Sequence, residues 1–174
     1  RILHPDFSGL PEFLPNAQGK ILNNDYFGGD LAGITEKIPY LRELGVTCLY
    51  LNPIFEAHSN HRYNTADYRK IDPLLGTEED FRQLCDAAHQ AGMAVILDGV
   101  FSHTGSDSIY FNREGRYGNS GAFRDPQSPY RKWYQFEQYP YRYHSWWGID
   151  TLPNVNEEEP TYLDFICADD GVLA

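Results

Sequence analysis

The chain has 174 residues, 41% of them hydrophobic, which is enough for one ordinary domain with a core. Its net charge of −11 argues against a nucleic-acid or anionic-membrane partner, because both polyanions need basic patches that displace counterions. No apolar run approaches the roughly 18 residues that a membrane helix requires, and no signal peptide is visible, so no membrane partner is expected. Cys48, Cys85 and Cys167 are odd in number and scattered through apolar contexts. They fit reduced core thiols better than a disulfide frame or a zinc site and point to the cytoplasm, with secretion as the alternative.

In chain order, the first periodic segment is Leu31, Ile34, Ile38, Leu41 and Leu44, which recur at helical spacing up to Gly45. Pro39 means that this helix either kinks or begins near there. The run VTCLYL at 46–51 reads as a short buried strand stopped by Asn52 and Pro53. Thr77 before Glu78, Glu79 and Asp80 has the form of an N-cap with an acidic first turn. Phe81, Leu84, Ala88 and Ala91 continue it as a helix that Gly92 ends. MAVIL at 93–97 is a second apolar strand. Two strands bracketing an amphipathic helix form a βαβ unit, so the strands are expected to be parallel and the crossover right-handed.

The segment 104–159 exceeds the about 12–15 residues of an ordinary connection. It holds half of the aromatic residues, including Trp133, Trp146 and Trp147. Disordered segments are poor in aromatics, so an ordered subdomain is expected, most of whose rings form a small core. Pro160 followed by Tyr162, Leu163, Phe165 and Ile166 predicts a last short helix.

The residues able to carry chemistry gather where the strands end. DGVFSHTG places Asp98, Ser102 and His103 just past the second strand, where parallel α/β folds hold their ligands. From these residues alone two readings stay open: a turn-capping acid with a satisfied loop histidine, or one wall of a site. The preceding loop brings His58, His61, Tyr63, Asn64, Asp67 and Tyr68 to the same edge. His58 and His61 lack a third ligand for zinc. Spacing does not support Asp67 and Asp98 as the paired carboxylates of a glycosidase. The lack of a GxSxG elbow argues against a serine hydrolase.

DGVFSHTG resembles the D-x-V-x-N-H signature that ends the third barrel strand in the α-amylase family of glycoside hydrolases. NHRYNTADYRKID resembles the segment after that family's second strand, and YFGGDLAGITEKIPYLRELGVTCLYLNPIF its first helix and second strand. LPNVN resembles the signature near the end of the inserted domain, in the form seen in neopullulanases and cyclomaltodextrinases. The resemblance spans about residues 26–160. It implies an α/β fold: the early βα units of a partial (β/α)8 TIM barrel, with a long aromatic-rich insertion after the third strand. Residues 1–103 would be the N-terminal part of the barrel, 104–159 the insertion and 160–174 the start of the following helix.

The family's roles carry over by position. His103 matches the histidine that hydrogen-bonds the sugar at the cleavage subsite, Tyr63 the tyrosine that stacks on the same ring, and Asp98 an acid that organises the site. Gly28 and Asp30 match two calcium ligands of the neopullulanase-like members, so calcium is the implied cofactor. Ser102 stands where the family usually has asparagine. The nucleophilic aspartate, the acid glutamate and the stabilising aspartate are expected beyond Ala174, so this chain alone is expected to be inactive. The implied function is that of a retaining hydrolase of α-1,4 and α-1,6 glucosidic bonds acting on an α-glucan or maltooligosaccharide. The alternative is a non-catalytic carbohydrate-binding or transporter-associated subunit. Self-association, or pairing with the rest of the parent chain, is expected because a partial barrel leaves its inner face open.

Overall fold

A computed structural model of the chain describes residues 1–11 and 14–174. The chain divides into two compact units, one formed by Arg1–Arg62 with Lys70–Gly99 and the other by Tyr63–Arg69 with Val100–Ala174.

The first unit opens with two short strands, β1 (Ile2–Leu3) and β2 (Asp25–Tyr26), paired in parallel. Helix α1 (Leu31–Glu43) follows, capped by Asp30, whose Oδ1 accepts the Gly33 amide at 2.7 Å. That cap resolves the ambiguity at Pro39: the helix starts a full two turns earlier and carries the proline inside. Strand β3 (Cys48–Leu51) is next, followed by β4 (Phe55–Ala57) and β5 (Thr65–Ile71), which runs from the second unit into the first. Helix α2 (Glu78–Gln90) begins at a complete capping box, in which Thr77 Oγ1 accepts the Asp80 amide and Asp80 Oδ2 accepts the Thr77 amide at 2.7 Å. Gly76 sits at φ 131°, and a Cβ there would lie 2.9 Å from Asp80 Oδ2, so the cap requires glycine.

Strand β6 (Ala94–Leu97) pairs with β3 in parallel, Cys48 opposite Ala94 through Leu51 opposite Leu97, as the βαβ pattern predicts. Leu31, Ile38, Leu49, Ile54, Leu84, Ala88 and Met93 form one core between the helices and this sheet. Each such large side chain contributes about 1.5–3 kcal/mol. The alternate residues Cys48, Tyr50, Ala94 and Ile96 are exposed. Among the described residues the strands do not close into a barrel.

The second unit is built from the first part of β5 and the chain from Val100 onward. An antiparallel hairpin of β7 (Phe136–Gln138) and β8 (Arg142–Tyr143) and a final helix, α3 (Pro160–Cys167), are its regular elements. Its interior is aromatic. The Tyr110 ring lies 5.2–5.9 Å from those of Tyr68, Tyr130, Trp133 and Phe165. Phe111 stands 4.7 Å from both Tyr134 and Tyr143. Rings meeting edge to face over such distances add about 0.5–1.5 kcal/mol per pair beyond burial. This explains how a segment with little regular structure holds one conformation.

Candidate active site

Asp98 follows the last residue of β6, and its amide donates to Leu51 O at 2.9 Å, so the ladder continues one step past the strand. Its carboxylate meets the Tyr50 hydroxyl, and the phenol is pushed up by desolvation and by the negative charge beside it. Gly28, at φ 94°, precedes Asp30 in the turn that enters α1. One oxygen of Asp30 is committed to capping that helix.

Calcium takes six to eight oxygens. The Gly28 carbonyl and the remaining Asp30 oxygen supply two, and no group of three acids, histidines or cysteines is placed to hold a metal ion among the described residues. These residues by themselves do not make a calcium site.

His103 belongs to the second unit and is only 4% exposed. Its backbone forms an antiparallel bridge with Asn154, framed by Val155 N to Ser102 O at 3.0 Å and Thr104 N to Pro153 O at 3.2 Å. Two signatures far apart in sequence are thereby joined. The ring's Nε2 lies 3.1 Å from the Tyr63 carbonyl oxygen and its Nδ1 3.1 Å from Ser102 Oγ. A carbonyl only accepts, so Nε2 carries the proton and Ser102 donates to Nδ1. Burial lowers the imidazole pKa, and the bond to Tyr63 opposes that shift. The result is a neutral ring of fixed tautomer with one N–H facing the tyrosine loop. Tyr63 itself is exposed. Ser102, which replaces the usual asparagine, acts here on the histidine.

The loop backbone is held from behind. Tyr68, buried on β5, donates its hydroxyl to the carbonyls of both Val100 and His103, and Tyr162 on α3 donates to Phe101 O at 2.6 Å. Burial pushes both phenols up, so they stay protonated donors. Asp67 is likewise structural: its Oδ1 accepts the Arg69 amide at 2.9 Å and the Tyr110 hydroxyl at 3.1 Å.

Two features of this site were not visible as single residues in the sequence. Asn154 Oδ1 is buried with no hydrogen-bond partner among the described residues, beside His103. An acceptor in that state costs about 1–3 kcal/mol. Trp146 packs 5.5 Å from the His103 ring. The motif LPNVN pointed to the segment, but only the fold shows which of its amide oxygens is buried without a partner.

The chain is 50% identical to the amylopullulanase of Thermoanaerobacterium saccharolyticum over 98% of its own length, which is 15% of that protein. It is 37% identical to neopullulanase 2 of Thermoactinomyces vulgaris over 83% of its length, 25% of the relative's. It therefore spans a minor part of these proteins. Its structure superposes on the type III pullulan hydrolase from Thermococcus kodakarensis with a TM-score of 0.73 and 36% identity, covering 94% of this chain and 27% of that one. Residues 10–170 match the family described as alpha amylase, catalytic domain, and the chain belongs to that family and has its α/β fold.

Proposed function

We propose that the protein carrying this chain is a retaining α-glucan hydrolase that cleaves α-1,4 and α-1,6 glucosidic bonds in starch and pullulan. The observation that carries this reading is the neutral, tautomer-fixed His103 with a buried, unsatisfied Asn154 oxygen beside it, on a family framework. A sugar ring offers hydroxyls that both donate and accept, which is what an imidazole N–H and an amide oxygen recognise. The relatives' names, amylopullulanase and neopullulanase, support the choice of polymers.

In this reading residues 1–103 are the early strands and helices of a (β/α)8 barrel, 104–159 its insertion and 160–174 the next helix. His103 shares its Nε2–H with a sugar oxygen and Tyr63 stacks on the same ring. Asp98 orders the strand end. Bond cleavage belongs to two carboxyls about 5–5.5 Å apart elsewhere in the protein, one attacking the anomeric carbon and one protonating the departing oxygen. Calcium, with Gly28 and Asp30 giving two oxygens, belongs to the proposal only as an ion that further groups complete. The cysteines are not the core thiols expected, since Cys48 and Cys167 are exposed and Cys85 half-buried; as three free thiols they support a reducing, cytoplasmic setting.

The test is a screen of the full-length protein against starch, pullulan, cyclodextrins and maltotriose, with His103→Ala alongside. Hydrolysis is expected, and the variant should lose about 2–4 kcal/mol in kcat/KM, because a hydrogen bond that tightens as charge develops on the ring is removed. Its melting should fall by only about 1 kcal/mol. Tight glucan binding without hydrolysis would assign a binding subunit instead. A folded variant of unchanged kcat/KM would make His103 a loop residue.

A further inference from the structure

The His103 ring lies in its slot in one orientation, and the bonds at its two nitrogens select it. A half-turn about the Cβ–Cγ bond would exchange Nδ1 with Cδ2 and Nε2 with Cε1 and leave the outline of the ring unchanged, so packing alone does not choose between the two. The tilted contact with Trp146, 5.5 Å between centroids, is of that indifferent kind. The choice falls to Ser102 Oγ, 3.1 Å from Nδ1, and to the Tyr63 carbonyl, 3.1 Å from Nε2. With His103 only 4% exposed, little water is at hand to replace a lost partner.

Only one of these partners depends on a side chain. Tyr63 contributes a backbone carbonyl, which any residue at that position would bring. Ser102 contributes a hydroxyl, delivered from a backbone that is held on both sides. Its own carbonyl accepts the Val155 amide at 3.0 Å, Phe101 O accepts the Tyr162 hydroxyl at 2.6 Å, and His103 O accepts the Tyr68 hydroxyl at 2.9 Å. Nδ1 is the ring nitrogen nearer the main chain, so a side chain as short as serine reaches it. A hydroxyl carries no charge and turns freely, and it donates to Nδ1 without asking the buried ring to take a second proton.

We infer that Ser102 is a positioning residue of the proposed sugar site, acting through His103 to keep the Nε2–H on the side of the tyrosine loop. This rests on the reading of the protein as an α-glucan hydrolase. Without the serine hydroxyl, the ring turns over in a share of the molecules and presents a carbon where the donor belongs. Those molecules are lost to turnover.

The test is a double-mutant cycle in the full-length protein acting on soluble starch, with Ser102→Ala, His103→Ala and the two combined, each assayed well below its melting temperature. Ser102→Thr joins the set as the variant that keeps the hydroxyl. Ser102→Ala should lower kcat/KM about fivefold, the value of one neutral hydrogen bond, and the fall should lie in kcat because fewer molecules are competent. Ser102→Thr should stay within about twofold of the parent. On the His103→Ala background the same serine-to-alanine change should have no effect, since the ring through which it acts is gone. An equal fall on both backgrounds would make Ser102 a merely structural residue and overturn the inference, as would no fall on either. A parent that binds starch without cleaving it would overturn the hydrolase reading alone, and the same cycle read in starch affinity then decides the role of Ser102. A parent that neither binds nor cleaves starch would overturn both.

Discussion

At the scale of single residues, both His103 nitrogens have partners in the chain, and the proton position follows from them. The sequence could bring a histidine to the end of a strand, because apolar runs and turn residues are local signals. It could not show that a neighbouring serine and a carbonyl forty residues earlier would fix its tautomer, since that depends on long-range folding. Trp147 is a similar case: half the aromatic residues lie in 104–159, and only backbone angles and burial separate the displayed indole from those in the core. Asp107 gives a test of burial. Desolvation pushes its carboxyl up to about 6, with Arg116 at 3.4 Å opposing and Glu114 adding to the shift. A carboxyl whose folded pKa exceeds its unfolded value of 3.8 contributes its stability at low pH and loses it as pH rises through about 6. Asp107→Asn is therefore expected to be more stable than the parent at pH 8, by up to about 3 kcal/mol, and equal to it at pH 3.5. Urea melts at the two pH values check this, and a variant weaker at pH 8 would mean that Arg116 outweighs the burial.

At the scale of elements, helix α2 was legible because capping is written in four consecutive residues. Thr77→Ala removes the acceptor for the Asp80 amide and the hydroxyl that donates to Asp80 Oδ2 at 2.7 Å. The expected loss is about 1 kcal/mol, or about 2–4 °C in thermal melting of a chain this size. No change in calorimetry would show that the cap is redundant. The parallel pair of β3 and β6 was legible from two apolar runs around an amphipathic helix, with ends shifted by a residue or two. Strands β1 and β2 were not, because Ile2 and Leu3 become a strand only by meeting Asp25 and Tyr26. In β5, Ala66 and Tyr68 point inward while Arg69 and Lys70 stay exposed; the polar half of that alternation hid the strand. Asp72 behind it is fully buried, bonded to Arg1 at 2.7 Å and to Arg62 at 2.9 Å, and no local pattern announces such an ion pair.

At the scale of the whole molecule, an all-parallel pair of strands is expected to be covered on both faces. The helices cover one. On the other, Tyr50 is 62% and Ile96 48% exposed, beside Cys48 and Ala94. The 174-residue chain by itself should therefore associate with a second copy through this face. Sedimentation at tens of micromolar, on the order of the range in which such patches act, should show dimers or larger species. Ile96→Lys should shift them to monomer, and an unchanged distribution would place the contact elsewhere. The net charge of −11 opposes such association, so added salt should strengthen it.

The loop bearing His103 is suspended by its carbonyl oxygens from the phenols of Tyr68 and Tyr162. Every amino acid brings the same carbonyl, so these anchors are indifferent to which side chains occupy positions 100–103. The loop is in effect a socket whose backbone anchors do not depend on the side chains of Ser102 and His103. Exchanging them should alter the hydrogen bonds that Ser102 and His103 make while the backbone keeps its place. If the protein is the proposed glucan hydrolase, altered sugar preference is to be sought at 102 and 103, and the two tyrosines are the positions a redesign must leave untouched.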